Sequence, residues 1–482
     1  MSKIEVNEIV KQSGSTLTIG GPGTAVTIAC GATTVGMGRT GTVDWCTTAK
    51  TSPLTVASGN GYFINTSGGA VTVTLPASPS AGDIVAFKDY ANTWDTNNLT
   101  VGRNGSKING ECHNATLFTE SQSVTLIYVD GTKGWQDIHD STSDITGAPN
   151  FVTASGGTVL TNGDFKTHVF TSSGTFQITA AGLPVGSTKV DYFVVAGAGG
   201  GGAVNYSGGG GAGGFRLSNC AGCLAAPTMS PLVNACGAIT ASVASFPITV
   251  GAGGSGSTGP GVASTKGADS VFSTITSAGG GRGFSDTVIP GATDPDPLGP
   301  GGSGGGSNSS QSPAGAGIRQ GCGNTPPVSP PQGNPGGTAA PGATYGSGGG
   351  GAGAAGTNGA PGAGGVGSFI SDSFLGPTAP SYGTPGPASS VRYFSGGGGA
   401  GQNANYPYNG TQGAGGAGGG GAGGVPGFTG APPNPAAPAG INASAGTANT
   451  GGAGGGAGYG ASANNDAGAG GSGVVMIRYK FQ

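Results

Sequence analysis

Charged side chains are scarce in this sequence. They make up 8% of 482 residues, and 17 Lys and Arg against 20 Asp and Glu leave a formal net charge of −3. Nucleic-acid binding depends on a basic patch or stripe, so the composition argues against a nucleic-acid partner. The only histidines are His113, His139 and His168, which leaves no credible Ser-His-Asp set and predicts no metal site.

Long apolar runs are also missing. The first residues, "MSKIEVNEIVKQSG", have no apolar core of a signal peptide, and no window of about 18 apolar residues exists to cross a bilayer. We therefore expect neither a secretory signal nor membrane insertion. The seven cysteines are an odd number and include one close pair, Cys220 and Cys223. Free thiols fit this scatter better than a disulfide framework or a zinc site.

Glycine is what the chain has in excess: 109 residues, concentrated after residue 195. The stretch "GAGGAGGGGAGG" (413–424) lacks the strict G-x-y frame of collagen. Flexible linkers are the ordinary interpretation of such runs, but here many runs alternate with strands, and residues 196–482 carry only seven Lys or Arg and six Asp or Glu. Disordered chains are richer in charge. We predict ordered packing, in which backbones without side chains approach closely and hydrogen-bond as extended or polyproline-II-like segments.

One run imitates a dinucleotide-binding loop. The strand-like Val190–Val195 leads into Gly197–Gly202, which matches G-x-G-x-x-G. That loop needs a helix directly after it and an acidic residue about 20 positions later. Here more glycines follow, and the next carboxylate after Asp191 is Asp269. No cofactor is predicted.

The predicted fold class is all-β in three parts. Residues 1–43 contain short attachment strands, around Leu17 and Val26, that are too small to bury a core and would pair with other copies. Residues 44–146 form a small β-sandwich, and residues 147–482 form a glycine-rich domain framed by strands near 165–195 and 474–481. The strands at 190–195 and 474–481 are expected to pair with each other.

Alternating runs and turn signals identify the strands of the sandwich. The runs are "GYFINT", "AVTVTLP", "DIVAFKDY", "NLTVG" and "SVTLIYVD". Val71 and Val73 should face one way and Thr72 the other. Core packing is the expected role of Trp94 and Trp135.

Three stretches resemble tail fibres of tailed phages, particularly marine ones. They are the start "MSKIEVNEIVKQSGSTLTIG", the middle module "VTVTLPASPSAGDIVAFKDY…SQSVTLIYVDGTKGWQDI", and the end "VDYFVVAGAGGGG…ITVGAGG…GGSGVVMIRYKFQ". The resemblance implies a virion fibre assembled in the host cytoplasm. It also implies a homotrimer whose N-terminus meets other tail or baseplate proteins and whose C-terminal domain meets the host. Some phage adhesins are similar in displaying loops from packed polyglycine helices.

Aromatic and amide-rich loops are the candidate receptor contacts. Tyrosine combines a flat apolar face with a polar tip, and amides supply paired donors and acceptors, which suits a surface glycan or an outer-membrane protein. Packing inside the glycine runs is the alternative role. The candidates are Tyr206, Tyr345, Tyr382, Arg392, Tyr393, Asn403, Asn405, Tyr406, Tyr408 and Asn409.

No enzymatic activity is predicted. Polysaccharide cleavage requires paired carboxylates across a cleft, and the closest pair in the second half, Asp294 and Asp296, lies in a proline-rich segment typical of a solvated turn. The expected function is attachment of a phage tail fibre to the host surface. The alternative is a structural fibre without a receptor, such as a head decoration or a self-assembling surface filament.

Overall fold

The computed structural model describes residues 43–140, 149–203, 207–221, 224, 229–235, 237–259, 262–284, 299–308, 320–339, 345–359, 362–402, 412–425, 440–458 and 466–482. The chain divides into two compact units, Met1–Ala148 and Pro149–Gln482. The all-β prediction is confirmed. The attachment strands predicted around Leu17 and Val26 lie outside the described residues, and the three-part division of the chain stays a prediction.

The first unit contains two sheets of short strands. Its strands are β1 (Asp44–Lys50), β2 (Leu54–Thr55), β3 (Asn60–Ile64), β4 (Val71–Thr74), β5 (Ile84–Asp89), β6 (Leu99–Gly102), β7 (Ala115–Leu117), β8 (Ser123–Asp130) and β9 (Gly134–Asp140). One sheet has the order β1-β3-β5-β8-β9 and the other β2-β4-β6-β7. All five runs singled out in the sequence are strands. The short β2 and β7 and the edge strands β1 and β9 were not predicted.

One hydrophobic core lies between these two sheets. Val73 and Phe87, from different sheets, belong to the same buried cluster, which makes the unit a sandwich. Val71 and Val73 are buried and Thr72 is exposed, as alternation requires. Trp94 and Trp135 are 0% exposed, so their predicted packing role is confirmed.

The second unit contains the remaining strands and its only described α-helix. They are β10 (Val152–Ser155), β11 (Thr158–Asn162), β12 (Phe165–Phe170), β13 (Gly174–Ala181), β14 (Lys189–Val195), β15 (Phe215–Ser218), β16 (Val233–Asn234), β17 (Ile239–Thr240), β18 (Ala244–Thr249), β19 (Ser270–Phe272), β20 (Ile275–Ser277), β21 (Ser368–Ser371), α1 (Asp372–Leu375), a 3-10 helix (Gly376–Ser381), β22 (Val391–Phe394) and β23 (Val474–Lys480).

The central sheet of this unit, which we call the frame, has the order β11-β12-β23-β14-β15-β16, and β17 pairs with β14. Its two middle strands, β14 and β23, are almost entirely buried. These two strands pair antiparallel from Val190 with Tyr479 to Val195 with Val474, which confirms the predicted pairing. One face packs on the sheet β10-β13-β18-β19-β20, and the other on β21, β22 and α1. Because β14 is covered on both faces, it is apolar almost throughout.

A buried pair of opposite charges interrupts the apolar pattern of β14 and β23. Asp191 and Arg478 are register partners on β14 and β23 and are 0% and 2% exposed. The Asp191 carboxylate accepts hydrogen bonds from the Ser218 hydroxyl at 2.8 Å and from the backbone N–H of Cys220 at 2.7 Å. Burial lowers the pKa of Arg478 to about 10, opposed by the charge of Asp191. The guanidinium lies 3.8 Å from the ring centroid of Phe165.

The glycine runs pack beside the frame as extended segments that hydrogen-bond in steps of three residues. Gly197 donates to the carbonyl of Ala268 at 3.0 Å. Gly200, three residues later, donates to Thr265 at 3.1 Å. The same step recurs in the pairs Ala198–Gly471 and Gly201–Gly468, Gly199–Gly211 and Gly202–Gly208, and Gly210–Gly454 and Gly213–Gly451. A chain meets the same neighbour at every third residue when it has three residues per turn, as in polyproline II.

We call this set of hydrogen-bonded runs the glycine array: residues 196–203, 207–214, 251–257, 264–268, 278–284, 299–307, 332–339, 345–353, 362–367, 395–401, 413–424, 443–447, 451–458 and 466–473. Each run has several neighbours because its amides point in three directions. An interior run therefore holds its place by backbone hydrogen bonds alone. All six residues of the dinucleotide-like sequence, Gly197–Gly202, donate their N–H groups to such bonds.

Glycine is required here because the neighbouring backbones occupy the space of a side chain. A Cβ on Gly201 would lie 2.0 Å from the carbonyl oxygen of Gly455, and a Cβ on Gly416 would lie 2.0 Å from that of Gly365. No carbon atom approaches an oxygen so closely, and the obstacle is backbone rather than a flexible side chain. Ordering glycine is entropically costly, and these bonds offset that cost.

The sequence 413–424 is two antiparallel segments rather than one run. Gly423 donates to Gly413 and Gly420 to Gly416, so the chain reverses between them. Gly418 and Gly419 form the turn with φ of 107° and 90°, a region that residues with a Cβ avoid. The turn glycines look identical to the packed glycines in the sequence.

We predict that Gly416→Ala lowers the free energy of unfolding by ~3 kcal/mol or more, because overpacking against fixed backbone has no relaxed solution. Gly174→Ala is the matched control, since its nearest neighbour would be a Phe170 ring carbon at 3.5 Å. Urea unfolding of both variants measures the difference. Equal stability of the two would mean that the run behaves as a flexible linker.

A second prediction concerns His168, a buried residue of β12. Its Nδ1 lies 2.6 Å from the Gly156 carbonyl and therefore carries a proton, and its Nε2 accepts from the Tyr479 hydroxyl at 3.0 Å. Burial lowers the pKa of His168, and the charge of Lys166 lowers it further. As the pH falls below about 6.5, the imidazole is therefore protonated in the unfolded state before it is protonated in the folded state. The free energy of unfolding then decreases by up to about 1.4 kcal/mol per pH unit.

Urea unfolding at pH 7.5 and 5.5 measures this dependence. The His168→Gln variant removes the titrating ring, so its stability should change less between the two pH values than that of the parent chain. The same dependence in both proteins would assign the effect to other groups.

Candidate functional site

Several runs of the glycine array have one end at a strand. The run from Ala196 follows β14 directly, and the run ending at Gly473 enters β23. The run from Ser395 likewise follows β22, and the run ending at Gly367 enters β21. These junctions define the frame end of the array, and the opposite ends of the runs lie together on the other side.

We call that other side the end face and define it by the terminal residues of the runs: Ala203, Ser207, Phe284, Ser307, Tyr345, Gln402, Val425, Ile441 and Ala457. Hydrogen bonds join them across the array. The Ser207 hydroxyl donates to the Ala457 carbonyl, and Gly401 donates to Ser207 at 3.0 Å. Val425 and Ile441 exchange both backbone bonds at 2.8 Å.

The segments that connect neighbouring runs therefore begin and end at this face. The described residues on both sides of each segment belong to the end face or lie within one turn of it. The segments are 204–206, 309–319, 340–344, 403–411, 426–439 and 459–465. The described ends of these segments, which are distant from one another in the chain, therefore lie on one side of the second unit.

Several predicted contact residues belong to the end face or to these segments. Tyr345 is half-buried and pairs by an antiparallel bridge with Gln402. Six further candidates lie outside the described residues, within the segments 204–206 and 403–411: Tyr206, Asn403, Asn405, Tyr406, Tyr408 and Asn409. The described ends of those two segments meet where Gly401 bonds Ser207.

The other three candidates lie at the frame end, and their polar groups contact the protein itself. The Arg392 guanidinium donates to the carbonyls of Tyr382 at 2.7 Å and of Gly383 at 3.0 Å. Tyr393 is 6% exposed, and its ring lies 5.3 Å from that of Phe369. Tyr382 is half-buried against the core of the frame. The structure thus separates Tyr382, Arg392 and Tyr393 from the end face.

Sequence reasoning did not identify the segments 309–319, 426–439 and 459–465 as neighbours of the tyrosine loops. The available signal was the regular return of the chain: a run leaves the frame, a connecting segment follows, and another run comes back. Hidden turns such as Gly418–Gly419 obscured that alternation.

The six segments are nearly uncharged: Arg319 is their single charged residue, whereas tyrosine, asparagine, serine and proline are frequent. The segment 285–298, which follows the end-face residue Phe284, differs in containing Asp286, Asp294 and Asp296. At the face itself Phe284 packs one side of its ring toward the Arg282 guanidinium, 5.8 Å from the centroid. The site is suited to neutral hydrogen bonding and ring contacts rather than to charge pairing.

Across the described residues, no cluster of His, Cys, Asp and Glu has the arrangement of a metal site. No helix among those residues has the length and apolar character to span a membrane. Among the described cysteines, Cys112, Cys220 and Cys322 are free thiols, and Cys223 lies outside the described residues.

The fold and the array define an all-β protein with a glycine-rich domain. Residues 171–480 match the family described as the glycine-rich domain, so the chain belongs to that family. The match spans the frame and the whole array. A comparison with curated proteins returns no match.

We predict a structural rather than a binding role for Arg392. Arg392→Ala removes donors to three carbonyls, those of Pro380, Tyr382 and Gly383, and should lower the free energy of unfolding by about 1–3 kcal/mol. Lys189→Ala, which removes an exposed cation, should stay within about 0.5 kcal/mol of the parent. Thermal or urea unfolding of both variants checks this. An unchanged stability in Arg392→Ala would return Arg392 to the list of contact candidates.

Proposed function

We propose that the protein is a tail fibre of a tailed bacteriophage and that the end face attaches the virion to the host cell surface. The observation that carries the proposal is that the described ends of six connecting segments lie together on one side of a backbone-bonded array. Recognition surfaces are usually built from connecting segments that a rigid scaffold positions.

The physical contrast between array and segments supports this function. The runs accept almost no substitution, because neighbouring backbones fill the place of a Cβ. The connecting segments carry nearly all the chemical variety: Tyr206 in one, Tyr406 and Tyr408 in another, and Tyr459 in a third. New contact chemistry can therefore arise in the segments without disturbing the scaffold.

The composition of the segments indicates the class of receptor. With Arg319 as their single charge, they have little to offer a phosphate-rich surface. Tyrosine rings and asparagine amides suit a neutral glycan or the loops of an outer-membrane protein. Affinity should therefore depend little on ionic strength, because salt screens mainly charge pairs.

The remaining parts of the proposal rest on the resemblance to phage fibres. The protein is a homotrimer in the virion, its N-terminal residues 1–43 join other tail or baseplate proteins, and it is assembled in the host cytoplasm. It binds rather than cleaves: the proposal includes no catalytic residue, no cofactor, no nucleic-acid partner and no membrane insertion.

Competition for phage adsorption tests the proposal. Purified full-length protein should bind candidate host cells and block adsorption of the phage. The double substitution Tyr406→Ala and Tyr408→Ala should weaken cell binding about tenfold or more, corresponding to ~1.4 kcal/mol or more, without changing the thermal unfolding of the frame. Binding is measured with fluorescently labelled protein by flow cytometry.

Tyr382→Ala is the matched control, because it removes a tyrosine at the frame end and should leave cell binding unchanged. Raising NaCl from about 0.05 to about 0.5 M should change binding less than about threefold if the contact is neutral. A soluble, oligomeric protein that neither binds cells nor blocks adsorption would favour the alternative, a head decoration or surface filament without a receptor.

A further inference from the structure

A row of three aromatic rings lies on the outer face of the larger sheet in the first unit. The rings belong to Trp45 on β1, Phe63 on β3 and Tyr90 directly after β5. Ring centroids are 5.0 Å apart from Trp45 to Phe63 and 6.5 Å apart from Phe63 to Tyr90. Trp45 is 42% exposed, Tyr90 is 57% exposed, and Phe63 is half-buried.

The row is separate from the sandwich core. Cys46 and Tyr62, the chain neighbours of Trp45 and Phe63, pack into the core. Because successive residues of a strand point to opposite faces, Trp45 and Phe63 point away from it. Neither Trp45, Phe63 nor Tyr90 is part of that cluster.

The sheet has a specific place for the Trp45 indole. Trp45 and Gly61 are register partners on the parallel strands β1 and β3. A Cβ on Gly61 would lie 2.7 Å from two carbons of the six-membered indole ring. The missing side chain therefore lets the indole lie against the backbone of β3, while its opposite side remains accessible.

We propose that this aromatic row is a binding platform for a neutral carbohydrate. The apolar C–H face of a sugar ring stacks on a flat aromatic ring, and successive rings in a row contact successive sugars of a chain. Trp and Tyr are suited to such contacts because they combine a large apolar face with a polar tip.

Hydroxyl and amine groups beside the row supply hydrogen-bonding partners. Phe63 is the register partner of Lys88 on β5, and Lys88 is the partner of Ser123 on β8. The Lys88 ammonium already donates to the Ser121 carbonyl and has further donors for a sugar hydroxyl. Both Lys88 and Ser123 are half-buried.

The size of the platform favours a small ligand over a protein. Aromatic side chains present about 150–250 Å² each, so the exposed fractions of Trp45 and Tyr90 correspond to roughly 150–250 Å² together. A stable protein interface needs about 800 Å² from each partner. The other exposed large apolar residues of this unit, Val129 and Ile138, lie on β8 and β9 and do not extend the row.

This inference is independent of the proposed function. It concerns residues of the first unit, whereas host attachment is assigned to the end face of the second. A failure of either proposal leaves the other unaffected, because their tests use substitutions in different units.

Tryptophan fluorescence of the full-length protein provides the test. Trp94 and Trp135 are 0% exposed, so quenching by acrylamide reports on Trp45. The probes are neutral oligosaccharides of the cello-, laminari-, manno- and xylo- series. We expect at least one series to shift the emission and to reduce acrylamide quenching of Trp45 at least twofold with saturable binding.

Substitutions locate the binding. Tyr90→Ala keeps the reporter and should raise the Kd about tenfold, and Trp45→Ala should abolish the quenchable signal and the heat of binding in calorimetry. Ile138→Ala is the matched control, an exposed apolar residue of the same sheet at 44% exposure, and should leave the Kd unchanged.

Three results would overturn the proposal. The first is an absence of protection by every series. The second is a Trp45 that acrylamide cannot reach before any sugar is added, which would mean that protein covers the row. The third is dissociation of the oligomer by Trp45→Ala or Tyr90→Ala, which would identify the row as a contact between copies.

Discussion

The second unit depends on one constraint: the absence of a Cβ at the positions where backbones touch. A Cβ on Gly201 or Gly416 would lie 2.0 Å from a carbonyl oxygen of the adjacent run. With hydrogen in that place, each N–H reaches a carbonyl on another run, and a bundle of segments can be ordered with almost no side-chain core. The hydrophobic effect contributes little inside the array, so hydrogen bonds and close packing hold it together.

The glycine array has almost no side-chain core of its own, so it depends on the apolar core of the frame. The strands β14 and β23 bury apolar residues on both faces. Their pairing fixes the position of Ala196, where one run begins, and of Gly473, where another run ends. The buried carboxylate of Asp191 accepts hydrogen bonds from Ser218 and Cys220, which hold the end of β15 and the start of the loop after it. The described residues that flank six connecting segments lie at the opposite end of the array, which is the basis of the proposed attachment surface.

The first unit is stabilised in a different way. Its two sheets enclose a conventional core that includes Trp94 and Trp135, and its outer face leaves Trp45 and Tyr90 exposed. Here a single glycine, Gly61, makes room for an indole ring rather than for another backbone. The two units thus use glycine in two ways, and each use leads to a separate binding hypothesis.

The sequence by itself determined the all-β class, the five main strands of the sandwich, the burial of Trp94 and Trp135, and the pairing of β14 with β23. Alternation and apolar runs are local signals, and they survive without tertiary information. Only the tertiary structure decided which glycine turns and which packs, as Gly418 and Gly416 illustrate, because both are the same residue in the same run. It also decided that Tyr345 lies at the end face while Arg392 and Tyr393 lie at the frame, since that depends on the direction in which each run leaves the sheet.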